Sequence, residues 1–355
     1  MMQRPIRPTI RPTMGQAMGG TIGRLGFLLT TLALLGGEPG LASNLNQQLD
    51  IQPRNATQGQ ARDVADQWAQ LGHQQAAAGE LAQATQSWRE AAAIYAALGD
   101  IPAQSQVYSA MGSAFLALGQ YPEAERAFQL RVGTARDSND PLGMVFGLNN
   151  LGSIHLSLGR LDEAQTHFAE ALAVAEPTRD PQAIGLSLSN LGLVALRREQ
   201  WEQAVALLEP AANYRLLGGD TLGEANTSNH LGEAYFALGR ENNAIGAFRV
   251  GLRLGAEAEA RDTQLRAIDG LLTLYFGRED FNTAKPFLDR RVALTVNTSD
   301  PDLQTVLTFR WLGDYYRNTG ATENARTAYS QGLALSRSLV LKSLEGEFTN
   351  RLRRL

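Results

Sequence analysis

Residues 148–168 read LNNLGSIHLSLGRLDEAQTHF, and this stretch contains the pattern that decides the fold. A leucine and a glycine stand together at Leu151-Gly152, an alanine follows thirteen residues after the leucine, and a phenylalanine follows four residues after the alanine. Residues four apart lie on one face of a helix, so Ala164 and Phe168 predict a helix that packs a small and a large side chain against a partner. The stretch therefore predicts two antiparallel helices.

The same pattern recurs every 40 residues, with one interval of 41. The leucine step lies at Leu71-Gly72, Met111-Gly112, Leu151-Gly152, Leu191-Gly192, Leu231-Gly232, Leu271-Leu272 and Leu312-Gly313. The alanines are Ala84, Ala124, Ala164, Ala204, Ala244, Ala284 and Ala325, and the large apolar residues are Trp88, Phe128, Phe168, Leu208, Phe248, Leu288 and Tyr329. One helix pair cannot bury both of its faces, so seven pairs are expected to stack into a continuous curved core.

Turn residues separate the predicted helices. Glycines that suit the left-handed end of a helix stand inside five units, at Gly79, Gly119, Gly159, Gly239 and Gly320, whereas Glu199 and Glu279 depart from this rule. Between units, an aspartate can cap the next helix and a proline can occupy its first turn. These boundaries are Gly99-Asp100, Asp140-Pro141, Asp180-Pro181, Gly219-Asp220 and Asp300-Pro301.

The spacings Trp68-x2-Leu71-Gly72, Leu231-Gly232-x2-Tyr235 and Ala244-x3-Phe248 resemble the tetratricopeptide repeat. The period of 40 is longer than the family's usual length of about 34, and it is similar to that of the longer-repeat members of the kinesin light chain and LGN type. The resemblance covers about 61–337. It implies an all-α, right-handed α-solenoid of seven helix-turn-helix units, at about 61–100, 101–140, 141–180, 181–220, 221–261, 262–300 and 301–337.

The N-terminus has the profile of a signal peptide. Four arginines and no acid precede a short apolar run, Leu25 to Leu35, which is shorter than the about 20 residues needed to cross a bilayer. We expect cleavage after Ala42, export of the mature chain, and a flexible polar leader over 43–60. The alternatives are an N-terminal membrane anchor or a buried helix, and without export the protein would be cytoplasmic.

The C-terminal residues 338–355 predict a helix that caps the last unit. Apolar residues recur at spacings of three and four, at Leu341, Leu344, Phe348, Leu352 and Leu355, and Arg351, Arg353 and Arg354 follow near the end. A basic helix on a membrane surface is the alternative interpretation.

Composition argues against several functional classes. The chain has no cysteine, and its lysines, Lys285 and Lys342, lie in no glycine-rich phosphate loop. Without residues 1–42, the chain would hold 28 basic and 35 acidic residues, which disfavours nucleic-acid binding. The four histidines show no metal-ligand spacing, with His155 expected in the core. We therefore expect no enzyme activity, no cofactor, no metal and no stable membrane insertion after cleavage.

The concave face of the first helices is the expected binding surface, and its rows are counted from the leucines. The row two residues before the leucine of each step includes Ser109, Asn149, Ser189, Asn229, Asp269 and Arg310. The row one residue before it includes Asn150, Asn190 and His230. The row two residues after it includes Ser113, Ser153 and Glu233, and Arg317 lies five residues after the last leucine. Amides and hydroxyls can satisfy the backbone of an extended peptide. Alternatively, these rows form a solvated face or a hydrogen-bond ladder between units.

Two further details concern this face. The row five after the leucines, which includes Leu116, Leu156, Leu196, Phe236 and Phe276, is more simply packing between units than a set of side-chain pockets. At the C-terminal end, Arg310 and Asp314 are expected to form a surface ion pair, although Arg310 and Arg317 together could receive a peptide carboxylate.

The sequence therefore favours a non-catalytic exported scaffold that binds an extended peptide or a segment of a partner protein. The alternatives are a structural assembly factor of the cell envelope that uses the convex or end faces, and a regulatory arm of an enzyme on another chain.

Overall fold

The computed structural model describes residues 56–296 and 300–355, and all regular secondary structure in these ranges is α-helical. The first and second helices alternate as α1 Ala56–Ala77, α2 Leu81–Leu98, α3 Ile101–Ala117, α4 Tyr121–Asp137, α5 Pro141–Ser157, α6 Leu161–Thr178, α7 Pro181–Arg197, α8 Trp201–Leu217, α9 Thr221–Ala237, α10 Glu241–Glu257, α11 Arg261–Gly277, α12 Phe281–Thr295, α13 Leu303–Asn318 and α14 Thr322–Ser338, followed by α15 Lys342–Arg353. The predicted all-α stack of helix pairs is confirmed.

Each second helix packs against the first helix of its own unit and against the first helix of the next unit. The predicted signal peptide at 1–42 lies outside the described residues. Helix α1 begins at Ala56, so the last five residues of the stretch predicted as a flexible leader are helical.

In six of the seven units, the glycine after the leucine or methionine of the step allows the two helices to approach closely. The seven repeated alanines are fully buried, and the large residues beside them are at most 3% exposed. A Cβ on Gly232 would stand 2.6 Å from Cε1 of Phe248, and a Cβ on Gly192 would stand 2.5 Å from Cγ of Leu208. Real Cβ atoms do not approach other atoms so closely, so the missing side chain of the glycine provides the space that the large residue fills.

In unit 6, different residues pack the two helices against each other. Leu272 replaces the glycine there, and it is fully buried together with Leu288 of the second helix. Phe248 of unit 5 lies against Gly270 of unit 6 as well as against Gly232 of its own unit. The ring of Phe248 therefore connects two consecutive units.

The turns follow the predicted chemistry with one exception. Aspartate side chains accept a hydrogen bond from the first turn of α3, α5, α7, α9 and α13, through Asp100, Asp140, Asp180, Asp220 and Asp302. The expectation for Asp300-Pro301 was wrong, because α13 begins two residues later, where Asp302 and Thr305 form a capping box. Glu199 and Glu279 adopt the same left-handed conformation as the glycines, with φ of 57° and 56°.

Helix α15 covers the end of the stack. Phe348 is 1% exposed and its ring centroid lies 6.3 Å from that of Tyr329 in unit 7. Leu341, Leu344, Leu352 and Leu355 pack partly buried around the same cluster. The apolar face of α15 is thus used for packing against unit 7, as the capping interpretation predicted.

A search of the described residues for helices that are both long and apolar enough to span a bilayer finds none.

Because the helices approach closely at Gly232, we predict that replacing glycine by alanine at two sites in unit 5 changes the stability in opposite directions. Gly232→Ala places a methyl group against the Phe248 ring and should lower the free energy of unfolding by about 1–3 kcal/mol. Urea unfolding followed by far-ultraviolet circular dichroism measures the change.

Gly246→Ala in α10 is the matched control, because a Cβ there would meet no atom within 4 Å. It should raise the free energy of unfolding by up to about 1 kcal/mol through helix propensity alone. Equal effects of the two substitutions would show that the glycine contact does not limit the helix approach.

Candidate functional site

The first helices of the units form the inner layer of the stack. In the middle of the chain, α5 contacts α7, α7 contacts α9, and α9 contacts α11, whereas no second helix makes comparable contact with the second helix of the next unit in the described ranges. A stack in which one layer is closer together than the other curves toward the closer layer. The surface of α5, α7, α9 and α11 is therefore concave, and we call it the groove.

The middle members of the row two before the leucines do not face the groove, contrary to the sequence-based expectation. Asn149, Ser189 and Asn229 are 2%, 6% and 0% exposed. Asn149 donates from Nδ2 to the carbonyl of Val145 at 2.9 Å and to Oγ of Ser187 at 3.0 Å. This position of a first helix points toward the neighbouring unit, so its side chains are buried at the contact between units.

Further members of this row make equivalent links. Asn229 donates from Nδ2 to the carbonyl of Thr263 in the next unit at 2.9 Å. Asp269 accepts a hydrogen bond from Nε1 of Trp311 in the next unit at 2.8 Å, and it lies 3.2 Å from Nε of the fully buried Arg291. Asn149, Asn229 and Asp269 thus form hydrogen bonds between units, as in the alternative interpretation, and we refer to these three residues as the ladder.

Ser189 is tied within its own unit. Its Oγ accepts a hydrogen bond from Nη2 of the buried Arg215 at 2.7 Å, and Arg215 also pairs with the capping residue Asp220. Arg215 of α8 is thereby connected both to Ser189 of α7 and to Asp220, the residue that caps α9.

The row one before the leucines contributes the accessible amides and the histidine. Asn190 and His230 are partly exposed, whereas Asn150 is 8% exposed. Asn190 donates from Nδ2 to Oδ1 of Asn149 at 2.8 Å, and no described residue donates a hydrogen bond to its own Oδ1. Asn190 therefore joins the ladder and still presents an acceptor to the groove.

The serines of units 2 and 3 are already hydrogen-bonded to their own helices. Ser113 donates to the carbonyl of Ser109 at 3.0 Å, Ser153 donates to the carbonyl of Asn149 at 2.9 Å, and Ser109 donates to the carbonyl of Ser105 at 3.4 Å. Each of these three partly exposed hydroxyls can then only accept a further hydrogen bond.

A group of charged and polar side chains crosses units 4 to 6 of the groove. It consists of Arg197, His230, Glu233 and Arg266, and we call it the groove cluster. Nη1 of Arg266 lies 2.9 Å from Nε2 of His230 and donates to it. Burial, together with the charges of Arg266 and Arg197, lowers the pKa of His230 to about 3. The imidazole is therefore neutral at pH 7, with its proton assigned to Nδ1.

Glu233 provides the negative charge of the groove cluster. Its side chain is exposed to solvent, yet the protein on both sides desolvates the carboxyl and raises its pKa, against the opposing charges of Arg266 and Arg197. No carboxylate oxygen of the described residues lies within 4 Å of the Arg197 guanidinium, which is also exposed.

The row five after the leucines mostly packs between units, as expected. Leu116 and Leu196 are 6% and 7% exposed, and the ring of Phe276 lies 5.1 Å from that of Trp311. Phe236 is the exception at 46% exposed, and it lies in α9 between the levels of Glu233 and Ala237. One aromatic ring is therefore available beside the groove cluster.

The C-terminal end of the groove differs from the prediction. Arg310 lies 3.7 Å from Glu347 of α15 and Asp314 pairs with Arg351 of α15 at 3.1 and 3.2 Å, so the expected Arg310–Asp314 pair does not form. Arg317 approaches Asp314 at 3.9 Å and remains exposed. Because Arg310 is already paired, this end no longer favours a two-arginine site for a peptide carboxylate.

Two residues of the groove were not among the sequence-based candidates. Phe236 was assigned to packing, and Arg197 was overlooked although the sequence carries a signal for it. In the six units other than unit 4, the residue six after the leucine is small or uncharged, namely Ala77, Ala117, Ser157, Ala237, Gly277 and Asn318. A single arginine in such a row indicates a charge placed on the groove.

The histidines and acids offer no evident metal centre. His155 is 6% exposed, as expected of a core residue, and its ring stacks on that of His167 at 5.1 Å. In the part of the chain that the structure describes, no three His, Cys, Asp or Glu side chains are grouped so that they could hold a metal ion.

Comparison with known sequences supports the repeat interpretation. Sequence profiles described as tetratricopeptide repeat match residues 107–142, 145–213 and 184–257. No functionally curated protein matches the sequence significantly.

Several solved structures share the fold at low identity. A signal transduction ATPase (STAND) protein with a tetratricopeptide repeat sensor, from Pyrococcus horikoshii, aligns with a TM-score of 0.64 and 15% identity over 92% of this chain and 52% of its own, so this chain spans about half of that protein. BtubC (BKLC) from P. vanneervenii aligns with a TM-score of 0.54 and 19% identity over 62% of this chain and 92% of its own. A Rap protein complexed with Competence and Sporulation Factor aligns with a TM-score of 0.51 and 13% identity over 91% of this chain and 84% of its own.

The environment of His230 predicts a pH-dependent stability. An unfolded histidine titrates near 6.5, so between pH 6.5 and about 3 the unfolded chain binds a proton that the folded chain does not bind. The free energy of unfolding should therefore fall as the pH drops through this window. His230→Asn, which introduces the residue found at Asn150 and Asn190, should remove this part of the loss.

Urea unfolding of both proteins at pH 7 and pH 4.5 tests the prediction. The variant should lose less stability than the wild type, by about 2 kcal/mol for two pH units at a partly accessible group. If the two proteins lose stability in parallel, His230 is not held neutral by its surroundings.

Proposed function

The chain is built of tetratricopeptide repeats, and on this premise we propose that it is a non-catalytic scaffold that binds an extended segment of a peptide or partner protein along the groove. The observation that supports the proposal best is the groove cluster with Asn190 and Phe236 beside it. These side chains come from three consecutive first helices and leave polar and aromatic groups open to solvent.

The dimensions of the groove suit an extended chain. Neighbouring packed helices are about 10 Å apart and an extended peptide rises about 3.3 Å per residue, so each unit would face roughly three peptide residues. The stretch from Asn190 to Arg266 would then contact a segment of roughly nine residues across units 4 to 6. Amide and carboxylate groups on the groove satisfy backbone donors, and Arg197 satisfies carbonyl or carboxylate acceptors.

The charge pattern of the groove cluster favours a segment that carries both negative and positive charges. Arg197 and Arg266 attract an acidic side chain, while Glu233 between them accepts from a backbone N–H or a basic side chain. Phe236 offers a surface for one apolar side chain. The preferred ligand is therefore a mixed polar segment with an acidic residue and an apolar residue close together.

The ladder contributes to binding indirectly. Its hydrogen bonds hold α5 to α7 and α9 to α11 at fixed spacing before a ligand arrives, so less conformational freedom is lost on binding. Each groove hydrogen bond adds only about 0.5–1.5 kcal/mol, so a handful of them corresponds to micromolar or weaker affinity once ordering is counted. We therefore expect a reversible interaction.

The likeness to the Rap protein that is complexed with Competence and Sporulation Factor supports a ligand-binding role only at the level of the fold, because the identity is 13%.

We propose in addition that the protein is exported and that residues 1–42 are removed. The support is the order of four arginines, the apolar run Leu25 to Leu35, and Gly40-Leu41-Ala42, which supplies the small residues that a signal peptidase requires.

Binding of selected peptides tests the groove. A phage-displayed library of random dodecapeptides is screened on the immobilised full chain, and the best synthetic peptides are titrated by fluorescence anisotropy. Glu233→Ala and Arg197→Ala should each raise the Kd about 3- to 10-fold, since each removes one or two polar contacts.

Gln203→Ala and Glu202→Ala are the controls, because both side chains are exposed on the second helix α8 of unit 4. They should leave the Kd unchanged. Peptides that bind all four variants equally, or that lose affinity only for the α8 variants, would exclude the groove as the binding surface.

Mass spectrometry of the protein isolated from the exporting cell tests the second proposal. The mature chain should begin at Ser43, because the predicted cleavage follows Ala42. A chain recovered from a washed membrane fraction with residues 25–35 still attached would instead indicate an anchor.

A further inference from the structure

A second concave surface lies on the layer opposite to the groove. It is a pocket of about 490 Å³ between the second helices α2 and α4 of units 1 and 2, and its floor is the first helix α3. We call it the outer pocket. Its residues belong to none of the rows that form the groove, so whatever it binds is independent of the peptide proposal.

The outer pocket exists because unit 1 has alanine at two positions of its second helix where every later unit has at least one larger residue. Ala92 and Ala96 line it on α2. The equivalent residues are Val132 and Arg136 in unit 2, and Leu172 and Glu176 in unit 3. The volume that those side chains occupy elsewhere is open between units 1 and 2.

The interior of the pocket is apolar. Met111 and Phe115 of α3 form the floor and are 7% and 6% exposed, so only their outermost atoms reach the pocket. Leu130 on the α4 wall is 44% exposed. Covering such surface is favourable by about 25 cal/mol per Å², which gives an apolar ligand a reason to enter.

The rim of the pocket carries a positive charge on each wall. Arg89 stands on α2 and Arg126 stands on α4. Neither guanidinium has a carboxylate oxygen within 4 Å among the described residues, although Glu123 also lies on the rim. Arg89 donates to the neutral side chain of Gln86 at 3.1 Å. Two arginines without acidic partners above an apolar floor complement a ligand with an apolar body and one anionic group.

We propose that the outer pocket binds a small amphipathic carboxylic acid. The hydrocarbon part lies on Met111 and Phe115 between the alanines of α2 and Leu130, and the carboxylate lies between Arg89 and Arg126. A volume of about 490 Å³ falls within the roughly 300–1,000 Å³ range of small-molecule sites.

Isothermal titration calorimetry with decanoate and with decan-1-ol tests the charge requirement on the full chain. Decanoate should bind saturably at one site, and the uncharged alcohol of equal length should bind at least 5-fold more weakly. Arg126→Gln should raise the Kd for decanoate about 5- to 10-fold and leave the weaker binding of the alcohol unchanged.

Substitutions that fill the pocket test its location. Ala93 and Ala96 are exposed on the α2 wall, so Ala93→Leu and Ala96→Leu should fold normally and reduce binding of both ligands at least 10-fold. Ala173→Leu is the control, because Ala173 is the exposed equivalent of Ala93 in unit 3. It should change neither affinity, and circular dichroism verifies that all variants retain their helix content.

Absence of saturable decanoate binding overturns the proposal and favours a helix of a partner protein as the occupant of the pocket. Equal affinity for acid and alcohol also overturns it, because the arginines would then play no part. Binding that survives both leucine substitutions overturns it by placing the ligand elsewhere on the protein.

Discussion

The contact between a glycine of the first helix and a large side chain of the second helix determines the architecture of this protein. The missing Cβ at Gly232 lets Phe248 enter the space between the helices, and the same exchange is made at Gly72, Gly112, Gly152, Gly192 and Gly313. Because this contact fixes the rotation of the first helix about its axis in six of the seven units, it also decides which residues there face the next unit and which face the groove. A change in this contact would therefore alter the shape of the groove as well as the stability.

The ladder is the most important consequence of that rotation. Asparagine disfavours the interior of a helix, yet Asn149 and Asn229 are buried there with hydrogen bonds to the neighbouring unit. Buried amide N–H groups are costly when unpaired, so the requirement to satisfy Nδ2 of Asn149 and of Asn229 specifies the register between units more strictly than apolar packing alone. Oδ1 of Asn229 has no hydrogen-bond partner among the described residues. The groove cluster is held in place by this register, since His230 directly follows the ladder residue Asn229 in the sequence.

The fold could be predicted from the sequence because its signals are local and are repeated seven times. The rows of the groove were harder to assign, since consecutive residues differ by about 100° around a helix and the sequence does not reveal which of two adjacent rows turns inward. Asn149 and Asn190 were both identified, but only the structure separates the buried row from the accessible one. The pairing of Arg310 with α15 could not be foreseen, because it joins residues that only the final packing brings together. The outer pocket was missed because it arises from the smallness of Ala92 and Ala96, and small residues carry no chemical motif.

Phe248 has a consequence of its own. Its ring rests on Gly232 of unit 5 and on Gly270 of unit 6, so these two units cannot rotate against each other without displacing a buried aromatic side chain. Any bending of the stack is therefore expected to concentrate at other junctions, while units 5 and 6 move as one rigid block. Glu233 and Arg266 belong to these two units, so their mutual distance should stay constant while the stack as a whole opens or closes.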